Sequence, residues 1–512
     1  MSPVGNGNQR QIAAGGLCLR AKGHPPTMAA GKIGDETMKY VLPEGTRRGD
    51  VARRALFGTF LALALAGPAV AQEPPAGDTA APADGAGQDA KDAPAPTGFW
   101  ERDRLTGDWG GVRTELEDAG VKLGATETSD GLADVSGGKR TGATYQGETE
   151  LDLDLDLDKL AGWTGAKLHI SGVTVHGRSV TTDRTDALYT ASSIDADRGS
   201  RLLDLYLDQD IPGGLASLRI GQAGADEEFM ISKVATPFLN GTFGYPGLPT
   251  LDQPSSGPEY PLATPMVRLK LTPTEQWTVL LAAFNGDPTG NGFSLADPAL
   301  RDPSGTSFRT SDGVLGYVEA QYAVNQAPDA DGLPATYKLG LWAHSGRFDD
   351  QRLAPDNRRL NGDFSVYAIV DQMLWRRPDT KDEGISVFAR IMGAPSDRNL
   401  VDLYADTGVA LKGPFDGRSD DIAGLAVAYS HVSSAVRVAS VAAPLLPPGR
   451  PANDHEIDLE ATYQFAVTPW WQLQPDLQYT IHPDGNVVDP TSAPRGQIKD
   501  ATVLGLRTVI TF

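Results

Sequence analysis

The sequence predicts an all-β protein: a closed, antiparallel, transmembrane β-barrel of about 16 strands over residues 121–512. Three observations carry this. Stretches such as Leu151–Leu157 (LDLDLDL) alternate strictly between apolar and polar residues, which suits a pleated strand and excludes an amphipathic helix. The connections between such stretches alternate between short and long, the signature of a barrel with tight turns at one end and loops at the other. The chain ends in Phe512, and Leu504, Leu506, Thr508, Ile510 and Phe512 share one face of the last stretch. That is the form of a barrel-assembly signal.

The strands are placed near 121–127, 148–157, 163–174, 201–209, 215–222, 265–272, 276–284, 313–323, 336–345, 363–374, 384–392, 402–410, 420–430, 456–466, 470–480 and 501–512. Gaps of 5, 5, 3, 12, 9, 9 and 3 residues alternate with gaps of 20, 26, 42, 28, 17, 9, 25 and 20 between these bounds. In lipid every backbone N–H and C=O must be paired internally, so a spanning sheet has to close. Strand phase sets the faces. In the second strand the leucines point one way, toward lipid, and Asp152, Asp154 and Asp156 point into water. Trp163, Trp277, Trp375, Trp470 and Trp471 flank short turns, where an interfacial aromatic girdle belongs.

The N-terminus reads differently. Residues 1–50 are a polar, patternless lead, read as a mis-called start that contains the single cysteine, Cys18. Residues 51–71 carry Arg53 and Arg54, then an apolar run Ala55–Ala66, then Ala69-Val70-Ala71. That is a secretory signal peptide, too short to span a bilayer. Residues 72–98 are rich in Pro, Ala, Asp and Gly and cannot bury a core, so they read as a disordered tether. Residues 99–120 hold a short helix around Gly111–Ala119, stopped by Gly120.

Composition excludes several classes. The net charge is −21, which repels phosphate and argues against nucleic-acid binding. Removing residues 1–71 takes away 9 basic and 4 acidic residues and leaves −26 with no cysteine. Disulfide and Cys-based metal sites are therefore excluded. No G-x-S-x-G elbow occurs, and the six histidines after residue 71 lack ligand spacing. His344 and Ser345 are neighbours on one strand and so point to opposite faces. The expectation is no enzyme, no metal and no cofactor.

Several segments, in order along the chain, resemble the carbohydrate-selective porins of the OprB family. They include LTGDWGGVRTELEDAGV (Leu105–Val121), TPFLNGTFGYP (Thr236–Pro246), AAFNGDP (Ala282–Pro288), KLGLWAHSG (Lys338–Gly346) and YAIVDQMLW (Tyr367–Trp375). PSDRNLVDLYADTGV (Pro395–Val409), TPWWQLQPDLQYTIHPDG (Thr468–Gly485) and DATVLGLRTVITF (Asp500–Phe512) complete the set. The resemblance implies a sixteen-stranded porin of a Gram-negative outer membrane that admits sugars. Its partners would be carbohydrate solutes, outer-membrane lipid and, through Phe512, the barrel-assembly machinery. Association of copies stays open.

A sugar offers hydroxyls and an apolar ring face, so a selective constriction needs polar forks and aromatic rings. Strand phase points Asp204, Tyr206, Asp208, Arg268, Lys270, Glu319, Gln321, Asp371, Arg390, Asp458, Glu460, Gln472, Gln474 and Arg507 inward. The candidate sugar contacts among them are Arg268, Lys270, Glu319, Asp371 and Arg390; a structural cross-barrel network is the competing reading. The 42-residue connection 223–264 either folds into the lumen or caps the barrel outside. If it folds in, Phe238, Asn240, Phe243 and Tyr245 join the candidates.

Overall fold

The computed structural model describes residues 98–290, 298–327, 330–352, 358–436, 455–486 and 497–512. The polar lead, the signal peptide and nearly all of the tether lie outside the described residues. Sixteen strands close into one antiparallel barrel in which each pairs with its sequence neighbours and β1 pairs with β16. They are β1 (Val121–Gly138), β2 (Gly142–Asp156), β3 (Ala166–Gly177), β4 (Gly199–Ile211), β5 (Ala216–Ala223), β6 (Thr264–Leu271), β7 (Trp277–Asn285) and β8 (Val314–Val324). The second half comprises β9 (Ala335–Asp349), β10 (Arg359–Arg376), β11 (Gly384–Gly393), β12 (Val401–Lys412), β13 (Ile422–Val432), β14 (His455–Thr468), β15 (Trp471–Ile481) and β16 (Lys499–Thr511). Closure leaves no free edge, which the apolar surroundings demand.

The strand count agrees with the alternation, but one connection does not. The expected 20-residue first loop is a turn at 139–141, because β1 runs on to Gly138 and β2 starts at Gly142. The intervening residues are small and polar, and composition suggests a loop. Residues 128–134 nevertheless pair in register with 142–148, as in Asp130↔Gln146 and Thr128↔Glu148. Inward side chains find protein partners, as Asp130 does in Arg507 and the Ser192 hydroxyl.

Burial is inverted relative to a water-soluble sandwich. Leu425, Leu506 and Ile391 are exposed, whereas Asp130, Glu319 and Arg390 are buried. The apolar outer rows face hydrocarbon and the polar rows face inward. Trp163, Trp277 and Trp375 are exposed beside short turns, as a girdle requires.

Trp470 departs from the girdle. Its side chain is buried, its Nε1 donates to the Phe99 carbonyl at 3.1 Å, and its ring stacks on Trp100 at 6.2 Å. It anchors the N-terminal segment instead. There α1 (Val112–Asp118) is too short to persist alone. It docks on the short-turn rim through Arg113 Nη1, which donates to the Phe512 carbonyl at 3.2 Å. Leu105 N donates to Thr511 O at 2.8 Å, so this segment clasps the β1/β16 seam. Gly120 ends the helix at φ 98°, where a Cβ would meet Asp156 O at 3.0 Å.

The connection 224–263 turns into the barrel. Its short helices α2 (Gly241–Gly244) and α3 (Gly247–Asp252) carry buried Phe243, Leu248 and Leu251. These pack with Phe229, Met230 and Phe238 against wall residues Phe284, Tyr317, Trp342, Tyr367, Phe388 and Tyr404. The apolar core therefore lies inside the barrel, against β7–β12.

Candidate functional site

The wall holds the inward loop by its backbone. Glu319 on β8 accepts from Met230 N at 2.9 Å and from the Tyr367 hydroxyl at 2.9 Å. Asp371 on β10 accepts from Lys233 N at 3.0 Å and from the Ser232 hydroxyl. Glu460 on β14 accepts from Leu239 N at 2.6 Å and Asn240 N at 2.9 Å. Arg390 on β11 does the converse. It pairs with Asp406 of β12 and donates to the carbonyls of Thr242 at 3.0 Å and Phe243 at 2.9 Å. Charged partners satisfy otherwise orphaned backbone groups with strong bonds.

These contacts settle where the expected residues lie. Glu319, Asp371 and Arg390 seat the loop. Phe238, Asn240 and Phe243 are buried between loop and wall, and Tyr245 is nearly so. Asn240 caps α2 by accepting from Thr242 N at 3.1 Å, and its Nδ2 donates to Gln478 at 3.2 Å. The expectation that these side chains face a passing solute is corrected for this conformation. Apolar faces and hydrogen-bonding groups alike are turned toward protein. Lys270 remains half-buried one row from Arg268.

Where the loop leaves the wall at β4–β6, several charged groups meet and three of them keep partial exposure. Asp208, Arg219 and Arg268 lie in one cross-strand row. Arg219 grips Asp208 with two bonds, Nε at 3.1 Å and Nη2 at 2.9 Å. Arg268 Nη2 donates to the same carboxylate at 3.2 Å. From the loop, Glu228 accepts from Arg268 Nε at 2.6 Å and Glu227 pairs with Arg219. One row away, the Arg219 guanidinium lies 3.7 Å from the centre of the Tyr206 ring, and His169 stacks on that ring at 4.9 Å. Asp208, Glu227 and Glu228 keep 22–28% side-chain exposure. Partly exposed carboxylates thus stand beside two buried, forked guanidinium groups and a stacked ring.

Of the expected contacts only Arg268 belongs to this junction. Arg219, Glu227, Glu228 and His169 were missed, and Tyr206 and Asp208 were only placed inward. Strand phase would have found Arg219, since Ser217, Arg219 and Gly221 alternate with Leu218 and Ile220. Glu227 and Glu228 start a long connection and carry no phase signal.

Asp226, in the same loop, is half-buried. Burial pushes its carboxyl up to about 7, against the opposing bond from Tyr260 N at 2.8 Å. A raised carboxyl favours the neutral acid in the seated loop. Its contribution is complete below about pH 4 and is lost as pH rises through about 7. Proteolytic cleavage within 224–263 should therefore accelerate over that window, and Asp226→Asn should flatten the dependence. An identical pH profile in the variant would remove Asp226 as the cause.

The family model for "Carbohydrate-selective porin, OprB family" matches residues 140–512. Porin B of Pseudomonas aeruginosa is 27% identical over 465 residues, covering 84% of this chain and 94% of that protein. The putative porin QuiX of Acinetobacter baylyi is 24% identical over 441 residues, covering 81% and 94%. The high-pH structure of Pseudomonas putida OprB shares the fold, with a TM-score of 0.71 at 24% identity, over 81% of this chain and 100% of that one. With the sixteen-stranded closed barrel and its inward loop, the match over residues 140–512 shows that the chain belongs to the carbohydrate-selective porins of the OprB family.

Proposed function

We propose that the junction of Tyr206, Asp208, Arg219, Arg268, Glu227 and Glu228 is the sugar-contacting constriction of this outer-membrane porin, and that its solutes are monosaccharides such as glucose moving passively. The observation that carries the reading is the Tyr206 ring, in contact with His169 and with Arg219 and set beside three partly exposed carboxylates. A sugar's apolar face can lie near the ring while its hydroxyls exchange with carboxylates and guanidinium groups. The polar groups are already paired with one another, so each sugar contact replaces an existing bond. Net binding is then weak, and release is fast enough for transport.

Tyr206→Ala should weaken glucose block of single-channel conductance by about three- to tenfold, the equivalent of roughly 0.5–1.5 kcal/mol for a lost ring contact. Ion conductance without sugar should change little. Channel steps with unaltered glucose block would move the sugar site elsewhere. Channel steps that glucose never blocks, in the parent protein, would favour a general diffusion pore.

A passive channel needs no catalytic group. His344 and Ser345 support that reading: His344 is buried and its Nε2 meets Gly286 O at 2.7 Å, while Ser345 Oγ accepts from Val314 N at 2.8 Å. Residues 51–71 as a cleaved signal, residues 72–98 as a tether and Phe512 as the handle for barrel assembly complete the proposed path to the membrane. Association between copies is part of the same reading.

A further inference from the structure

Three histidines meet on the outer face at the long-loop end of β13–β15. His455 opens β14 and stands directly opposite His431 of β13. His482 follows β15 at φ 56°, and its Nδ1 lies 3.2 Å from His455 Nε2. Their ring centres are 4.7 Å apart, and the Tyr429 ring stacks on His455 at 5.8 Å. On the other side, His431 Nδ1 lies 2.6 Å from Asp402 Oδ1 of β12. All three imidazoles are half-buried.

The register puts this group outside, at the edge of the lipid band. Glu456 and Ser430, next to His455 and His431, are fully buried inside the barrel. His455 and His431 therefore point outward, in the rows that carry exposed Leu459 and Leu425. Along β15, Trp471 lies at the short-turn girdle, and Ile481 at the far end pairs with Ile457. At about 3.3 Å per residue and a tilt near 40°, that climb is roughly 25 Å, the height of the apolar band. The histidines sit where lipid gives way to water, within reach of dissolved ions.

The spacing of the pair fits a shared ion. Two bonds of about 2.0–2.1 Å from one ion, at roughly 90–110° to each other, hold their nitrogens about 2.9–3.4 Å apart. The 3.2 Å between His455 and His482 falls inside that span. A hydrogen bond between two neutral imidazoles accounts for the pair alone. It does not account for a third imidazole in the opposed position, where cross-strand side chains stand about 5 Å apart. Nor does it account for the carboxylate behind that third ring. A carboxylate on Nδ1 fixes the tautomer that leaves Nε2 as a ligand. No three ligands already surround one point among the described residues. The pair is the preformed part, and His431 joins it by a side-chain rotation. Imidazole suits zinc, copper and nickel rather than calcium or magnesium. We propose that His455, His482 and His431 form a site for one divalent transition-metal ion, which ties β13, β14 and β15 together at the long-loop end. Sequence spacing conceals it, because the ligands come from three separate parts of the chain.

The test is calorimetric titration of zinc chloride into the full chain in mild detergent, after chelator treatment, in a Cys18→Ser background without a histidine tag. The parent should bind one zinc ion saturably. His455→Asn and His482→Asn should each weaken binding about tenfold or more, and His431→Asn about three- to tenfold. His176→Asn, at an outer-face histidine of β3 that pairs with Glu127, should leave binding unchanged. Heat-modifiable migration confirms that each barrel is folded. Copper(II) bound to the parent should give an electron paramagnetic resonance spectrum with coupling to at least two imidazole nitrogens, a readout that needs no variant. The proposal is overturned if the parent binds no zinc, or if bound copper shows no nitrogen coupling. It is equally overturned if any of the three variants binds as the parent does, or if His176→Asn weakens binding as much as they do.

Discussion

Arg390→Ala should lower stability by about 3–5 kcal/mol and open the pore. Arg390 and Asp406 are both fully buried, and they form an ion pair between β11 and β12. Removing the guanidinium leaves a buried carboxylate without its counter-charge, and the cost of that uncompensated charge dominates. It also removes the donor to the carbonyls of Met230, Thr242 and Phe243. The loop then loses the Arg390 anchor at three of its carbonyls, while Lys338, Gln474 and Tyr404 still donate to loop carbonyls, so its middle, around Thr242 and Phe243, should leave the wall. Thermal unfolding should shift down, single-channel conductance should rise, and glucose block should weaken. Arg390→Lys keeps the charge but not the planar fork, and it should fall between. The double variant Arg390→Met, Asp406→Leu should regain most of the stability, because an apolar pair avoids the desolvation cost. It should not regain the loop's position. Unchanged conductance in Arg390→Ala would show that the loop is held without this residue.

Leu477→Arg should cost about 2–4 kcal/mol, the penalty for a cation near the bilayer midplane. Leu477 is near the middle of β15, 45% exposed, and pairs with Ala461 and Leu504 on its neighbours. In a water-soluble protein, an exposed Leu→Arg change would fall within roughly 0.5 kcal/mol. The two environments therefore give clearly different answers. The measurement is the urea midpoint of the barrel refolded in bilayers, with the parent alongside. A midpoint equal to the parent's would mean that this row does not face lipid.

Sequence alone determined the strands and their faces. Side-chain direction in a strand repeats every two residues, so LDLDLDL and VLGLRTVITF declare which residues share a face without knowledge of any partner. The same rule placed Glu319, Asp371, Arg390 and Arg507 inward. It failed at residues 128–147, where small polar residues read as a loop. There the backbone ladder, which hydropathy does not report, carries the strand.

What those inward residues do was decided only by tertiary structure. Arg390 could be placed in the lumen from its phase, but its role depends on three carbonyls 147–160 residues away. Phe238 and Phe243 read as rings for a sugar, yet the loop's path presses them on Phe388. Trp470 read as part of the girdle until Phe99 and Trp100 were found against it. Alternation is local and is written in consecutive residues. Filling a barrel brings together segments far apart in the chain, and no local pattern encodes which of them will meet.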